Sequence, residues 1–244
     1  MATLATGAVS AATADAAKPS VVIVHGAFAD GSDWAKVIPL LQAKGVHVVA
    51  VQNPLTSLDD DVAAAKRAIA TQPGKVVLVG HSWGGVVITE AGDDAKVKAL
   101  VYVAALVPDM GQAAGELVKD YPTASGWAHV VADQAGFLSL TQEGVAQHFA
   151  QDLSASATAV MTATQGPIQA KAFEQKLTVA AWKTKPSWYI VSEKDHMIQP
   201  DLERALAKKI NAKTTSLAAS HVPQQSQPAK VAAVILEAVR AASE

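Results

Sequence analysis

Short, nearly continuous apolar runs alternate along the chain with longer stretches in which apolar residues recur every three or four positions. The runs at 21–24, 46–51, 75–79 and 98–103 are rich in β-branched residues, a character that predicts parallel strands covered on both faces. Runs at 188–192 and, more weakly, 214–217 continue the series. Between the first two strands, 32–44 sets Trp34, Val37, Ile38 and Leu41 at helical spacing, with Ser32 or Asp33 as N-cap and Gly45 as the stop. An alanine-rich helix is predicted over 58–71, with Asp59, Asp60 and Asp61 at its positive N-terminal end, and Pro73-Gly74 then turns the chain. Helices also fit 86–91, 201–210 and 228–242. Alternation of this kind, with right-handed crossovers, predicts an α/β fold in which helices flank one mostly parallel sheet.

The alternation lapses over 108–185, where the sequence turns helical, polar and glycine-punctuated and offers no convincing β run. A stretch of about 75 residues is too long for a structureless loop. An inserted helical lid is therefore expected over 108–185, with the core formed by 20–107 and 186–244. Residues 1–19 are small and alanine-rich, charged only at Asp15 and Lys18. They are expected to form a flexible tail. Ala-x-Ala patterns such as 12–14 fit the remnant of an export signal, although the basic start and leucine-rich centre of a working signal are missing. The location expected is cytoplasmic, or exported if the tail is such a remnant.

Composition narrows the classes. A chain of 244 residues, 50% hydrophobic and 17% charged, suits one large compact domain. The net charge of −2 and the lack of a basic run argue against nucleic acid and against a polybasic membrane patch. With no cysteine, disulfides, thiolate catalysis and zinc–cysteine sites drop out. No G-x-G-x-x-G follows the first strand and no G-x-x-x-x-G-K-[ST] occurs, so nucleotide-dependent chemistry lacks its phosphate loops. No histidine pair sits at ligand spacing, and neither a metal nor a cofactor is expected.

The chemistry concentrates at Gly80-His81-Ser82-Trp83-Gly84, directly after the strand at 75–79. This is G-x-S-x-G in the context it requires, with a strand before it and a helix after it. A sharp strand-to-helix turn projects its central side chain, and glycines on either side let the turn close. Ser82 is therefore the candidate nucleophile, an alternative to an ordinary glycine-bounded turn. A serine needs a base, and the base needs an orienting acid. In open α/β sheets such groups gather at the carboxyl ends of strands. The run at 188–192 leads into Asp195, and that at 214–217 leads into His221, giving the order Ser, Asp, His. Glu193 and Asp109 are rival carboxylates and His196 the rival base. His81 is expected to pack beside the turn and His25 to hold loops by hydrogen bonds, while His47, His129 and His148 read as a strand residue and two lid or surface residues. For the oxyanion, the amide of Trp83 supplies one donor and that of Ala27 or Phe28 the other.

These stretches carry a resemblance. The segments 25–34, 80–85, 192–198 and 219–222 resemble, in order, the motifs of α/β-hydrolases, in particular the cofactor-independent serine esterase branch, and the likeness covers residue 18 to the C-terminus. The chain is also similar to the plant methyl-ester hydrolase and hydroxynitrile lyase group, which shares the triad and a helical lid. In those lyases a threonine follows the first-strand histidine and a lysine follows the catalytic one, whereas here Gly26 and Val222 stand there. The resemblance implies a carboxylesterase acting on small to medium apolar esters through an acyl-enzyme on Ser82, as a monomer or homodimer. Phe28 and Trp34 are expected to contact substrate, with Trp83 and the lid's Trp127, Phe137, Phe149, Met161 and Phe173 as further candidates. Alternatives on the same scaffold are a cofactor-free perhydrolase, a hydroxynitrile-lyase-like activity, or a low-turnover ligand-binding protein.

Overall fold

The structure, a computed structural model, describes residues 18–244; the tail expected over 1–19 lies almost wholly outside the described residues. The chain begins with β1 (Ser20–Val24), continues through α1 (Ile38–Gln42), β2 (Val48–Val51), α2 (Leu58–Ala70), β3 (Val76–His81) and α3 (Trp83–Ala91), and reaches β4 (Val97–Val103). After the inserted segment come β8 (Ser187–Ser192), α7 (Pro200–Lys209), β9 (Lys213–Leu217), α8 (Pro223–Ser226) and α9 (Pro228–Ser243). The central sheet has six strands in the order β2-β1-β3-β4-β8-β9, every neighbouring pair parallel. All the carboxyl ends therefore open on one rim.

Two apolar layers sandwich the sheet. Val22, Val24 and Leu78 face one layer with α2, α3 and α7, while Val21, Ile23, Val77 and Val79 face the other with α1 and α9. Both layers need the alternate residues of each central strand to be apolar, which is why these strands read as unbroken runs.

Two sequence expectations are corrected. The helix expected over 32–44 is broken into a 3₁₀ turn at Gly31–Trp34 and α1, and its cap is Asp30, whose side chain accepts from the Ser32 amide at 2.6 Å, rather than Ser32 or Asp33. Pro39 explains the break: lacking an N–H, it fits the first turn of α1 but not the interior of a longer helix. The 108–185 segment does carry short helices, α4 (Ala114–Leu117), α5 (Gln142–Gly144) and α6 (Ala155–Thr164). It also holds an antiparallel sheet that the sequence did not suggest, formed by β5 (Val130–Ala132), β6 (Phe137–Leu140) and β7 (Ile168–Gln169). Strands of two to four residues are too short for alternation to register.

Candidate active site

The turn between β3 and α3 puts Ser82 at φ 51° and ψ −118°. Positive φ in a non-glycine residue is strained by about 1–3 kcal/mol and persists only where the surroundings enforce it. Here the Ser82 amide donates to the Val103 carbonyl (3.1 Å), and the Ser82 carbonyl accepts from the Gly85 and Leu106 amides (3.0 and 3.2 Å). The glycines are obligatory for a steric reason: a Cβ on Gly80 would lie 2.5 Å from the Gly84 carbonyl oxygen, and one on Gly84 would lie 2.2 Å from that of Val24.

His221 and Asp195 arrive on the loops after β9 and β8, where the sequence placed them. Both are buried, and His221 Nδ1 lies 2.5 Å from Asp195 Oδ2. Asp195 Oδ1 accepts from the Met197 and Ile198 amides at 2.6 and 3.0 Å, so the carboxylate is fixed at both oxygens. His81 ties His221 to the turn: its Nε2 donates to the His221 carbonyl (2.7 Å), and the two imidazoles lie 4.7 Å apart. Burial above all, then the nearby His221, lowers the His81 pKa well below its ordinary value and keeps it neutral. Phe149 closes over the His221 ring edge-on at 5.0 Å. Ser82 is thus one residue from a side chain in contact with His221, although among the described residues its hydroxyl makes no hydrogen bond. Such bonds are often open before substrate binds.

The rivals fall elsewhere. Glu193 is paired with Arg204 and Asp109 with Lys183 (2.6 Å) at the surface. The His196 ring packs against His148 at 5.5 Å, and His148 stacks on His129 at 4.5 Å. His25 holds loops, its Nε2 accepting from the Asn53 amide (2.9 Å) while its carbonyl accepts from Asn53 Nδ2 (3.0 Å); its pKa is lowered by burial.

The two amides proposed for the oxyanion are differently placed. Trp83 is the first residue of α3, where an amide has no acceptor one turn back. The Phe28 amide donates to the Gly166 carbonyl (3.2 Å), which leaves Ala27 as the candidate donor of that loop.

Beside this turn lies an apolar cavity of about 300 Å³, walled by Leu106, Ala114, Val118, Trp127, Phe173 and Leu202. Two of its walls pack on the residues next to the candidate oxyanion amides, Phe173 edge-on against Trp83 (5.1 Å) and Trp127 against Phe28 (6.4 Å). Phe28 faces a second cavity of about 340 Å³ with Asp30, Ala157 and Met161. Trp34 is a correction: it is fully buried with Val21, Ile23 and Leu41 in the layer on the opposite face of the sheet, because the 3₁₀ turn that carries it packs there. Phe137 lines neither cavity.

Three buried acids escaped the sequence reading. Asp33 binds Gln224 Nε2 (2.5 Å) and Gln225 Nε2 (3.1 Å), anchoring the segment just after His221; burial raises its pKa. Asp61 accepts from Trp83 Nε1 and from the Leu55 amide, each at 2.7 Å, and burial raises its pKa to about 6. Glu203 accepts from the Ser192 amide at 2.9 Å. For Asp61 and Glu203 a signal existed: Asp61 falls on the Leu58, Val62, Ala65, Ile69 face of α2, and Glu203 on the Leu206, Ala207, Ile210 face of α7.

Residues 21–234 match the alpha/beta hydrolase family. The chain belongs to this family. The fold expected from the resemblance is thereby borne out, and the chain is a hydrolase with esterase-type relatives. It is 27% identical over 252 residues to Probable hydrolase R7 of Phoma sp., covering 90% of this chain and 98% of the relative. It is 26% identical over 246 residues to Methylesterase 7 of Arabidopsis thaliana, covering 88% and 94%. Polyneuridine aldehyde esterase shares its fold, with a TM-score of 0.78 at 19% identity over 90% of this chain and 98% of that one.

Proposed function

We propose that this hydrolase is a serine carboxylesterase. His221 takes the Ser82 proton on Nε2, Ser82 Oγ attacks the ester carbonyl, and the Ala27 and Trp83 amides receive the oxygen that becomes negative. The returned proton goes to the departing alcohol, and water, activated by the same imidazole, releases the acid from Ser82. Asp195 holds Nδ1–H and stabilises the imidazolium. The observation that carries this reading is the buried His221–Asp195 pair at 2.5 Å, tied through His81 to a serine held at positive φ.

The substrate class follows from the walls. The 300 Å³ cavity offers almost only aliphatic and aromatic surface beside the nucleophile, which suits an apolar acyl or alcohol group of small to medium size. The segment 108–185 supplies Trp127 and Phe173 to it and acts in this reading as the lid. Gly26 speaks against a hydroxynitrile-lyase-like site: a Cβ there would lie 2.9 Å from Ser82 Cβ and 3.0 Å from His81 Nδ1, leaving no room for a threonine without a shift.

The test is covalent. Incubated with a fluorophosphonate or with p-nitrophenyl acetate, the protein is expected to acquire one adduct on Ser82, seen by peptide mass spectrometry, with a burst of p-nitrophenol. Equal hydrolysis by wild type and Ser82→Ala, or an adduct on another residue, would overturn the reading.

A further inference from the structure

Behind Asp195 lies a second carboxyl group that the acyl-transfer scheme does not use. Glu203 sits in the first turn of α7, wholly buried. Its Oε2 accepts from the Ser192 amide, while Oε1 is sealed from solvent without a protein donor. Its side-chain neighbour at hydrogen-bonding range is Asp195. The other groups that bear on it are Glu193, on the same loop as Asp195, and the phenol of Tyr189 on β8, which donates to the Ala105 carbonyl. The adjacent cation, Arg204, is turned outward to Glu193 and Asp201.

Two carboxyl groups in such contact cannot both be ionised, and one proton lies between them. Asp195 is met by three donors, the Met197 and Ile198 amides and His221 Nδ1. Glu203 is met by one. The proton therefore belongs on Glu203, where the orphaned Oε1 has an acceptor only if it carries hydrogen. Burial, followed by the Asp195 charge, pushes the Glu203 pKa well above the ordinary carboxyl range.

We propose that Glu203 is a positioning residue: a neutral carboxylic acid whose Oε1 hydrogen is donated to Asp195, so that the Asp195 carboxylate is clamped against His221 from its buried side. The proposal rests on the triad reading above and extends its chain of contacts by one group.

The direct test needs no turnover. In isotope-edited infrared spectra of protein carrying ¹³C-labelled glutamate, the wild type at neutral pH is expected to show the C=O stretch of a protonated carboxyl that E203Q removes. Absence of that band in the wild type overturns the proposal, independently of whether Ser82 labels. Kinetics supply the second arm. In E203Q the amide keeps an acceptor for Ser192 and a donor for Asp195, so kcat is expected within about threefold of wild type and the acid limb of the kcat/KM–pH profile stays in place. E203L keeps the volume without the donor; kcat is expected to fall about tenfold at nearly unchanged KM, with the acid limb moving to higher pH as charge concentrates on Asp195. An acid limb that moves to lower pH in E203Q is the mark of a lost negative charge and overturns the proposal, as does an E203L enzyme with wild-type kcat. The infrared band and the E203Q profile decide the matter even where E203L does not fold.

Discussion

The turn at Ser82 and the segment 108–185 pack against each other through Trp83 and Phe173 but are built by opposite rules. Around Ser82, β3 is fully buried and α3 is buried except at Glu90, two glycines sit where no Cβ fits, and backbone hydrogen bonds with Val103, Gly85 and Leu106 pin the serine in a strained conformation. In 108–185, strands of two to four residues and mostly short helices are joined by backbone and side-chain bonds, such as Gln165 to the Leu140 backbone at 2.8 and 2.9 Å. In the proposed reading, reaction geometry is thus fixed by the sheet, where a small displacement is costly. On that same reading, preference among substrates would be written in a layer whose residues can change without moving the sheet.

The sharpest way to break this division is Ser82→Ala. It is expected to lower kcat for p-nitrophenyl acetate by at least about 10⁴-fold while the melting temperature holds or rises, since the strain at positive φ is not what folds the protein. Gly84→Ala tests the same turn by stability instead: a Cβ 2.2 Å from the Val24 carbonyl has no room in the central sheet. Urea unfolding is expected to show a loss of about 3 kcal/mol, together with most of the activity.

Asp61 probes the turn through pH. A carboxyl whose folded pKa is raised holds its proton more tightly folded than unfolded. Its stabilising contribution is complete below the unfolded value near 3.8 and is lost as pH rises through about 6. Unfolding free energies of wild type minus Asp61→Ala are expected to decline by roughly 2 kcal/mol between pH 4 and pH 7. A flat difference would show that the two hydrogen bonds to Asp61 offset its burial in full. The smallest effect is expected across the divide. Trp127→Ala should reduce kcat/KM for medium-chain p-nitrophenyl esters about tenfold while sparing the acetate, because one apolar wall is worth about 1–3 kcal/mol and only to a group that touches it.

The same contrast explains what could be read from the sequence. The strands β1, β3 and β4 were legible because both faces are covered, and Ser82 because its turn demands glycine at fixed offsets. Asp195 and His221 were found as polar residues just past strand ends. The Trp34 expectation failed because proximity in sequence to the Ala27 loop says nothing about which face of the sheet a following turn packs on. Asp61 reads as an ordinary acid of a first helical turn and Glu203 is not singled out at all; only their place on the apolar face of each helix sets them apart. The short strands of 108–185 were illegible because their pairing is decided by tertiary contact, as in Leu138 opposite Ile168, thirty positions on.

One contact ties the two regions together. The Gly166 carbonyl accepts from Phe28, and the Gly166 amide donates to the Ala29 carbonyl at 3.3 Å. These two bonds clasp the inserted segment to the very loop that presents Ala27. In the proposed reading, lifting the segment far enough to break the clasp would free that loop on both sides of Phe28 and loosen the hold on the Ala27 amide. A single glycine, through its amide and its carbonyl, thus couples the inserted segment to the loop on which the proposed chemistry depends.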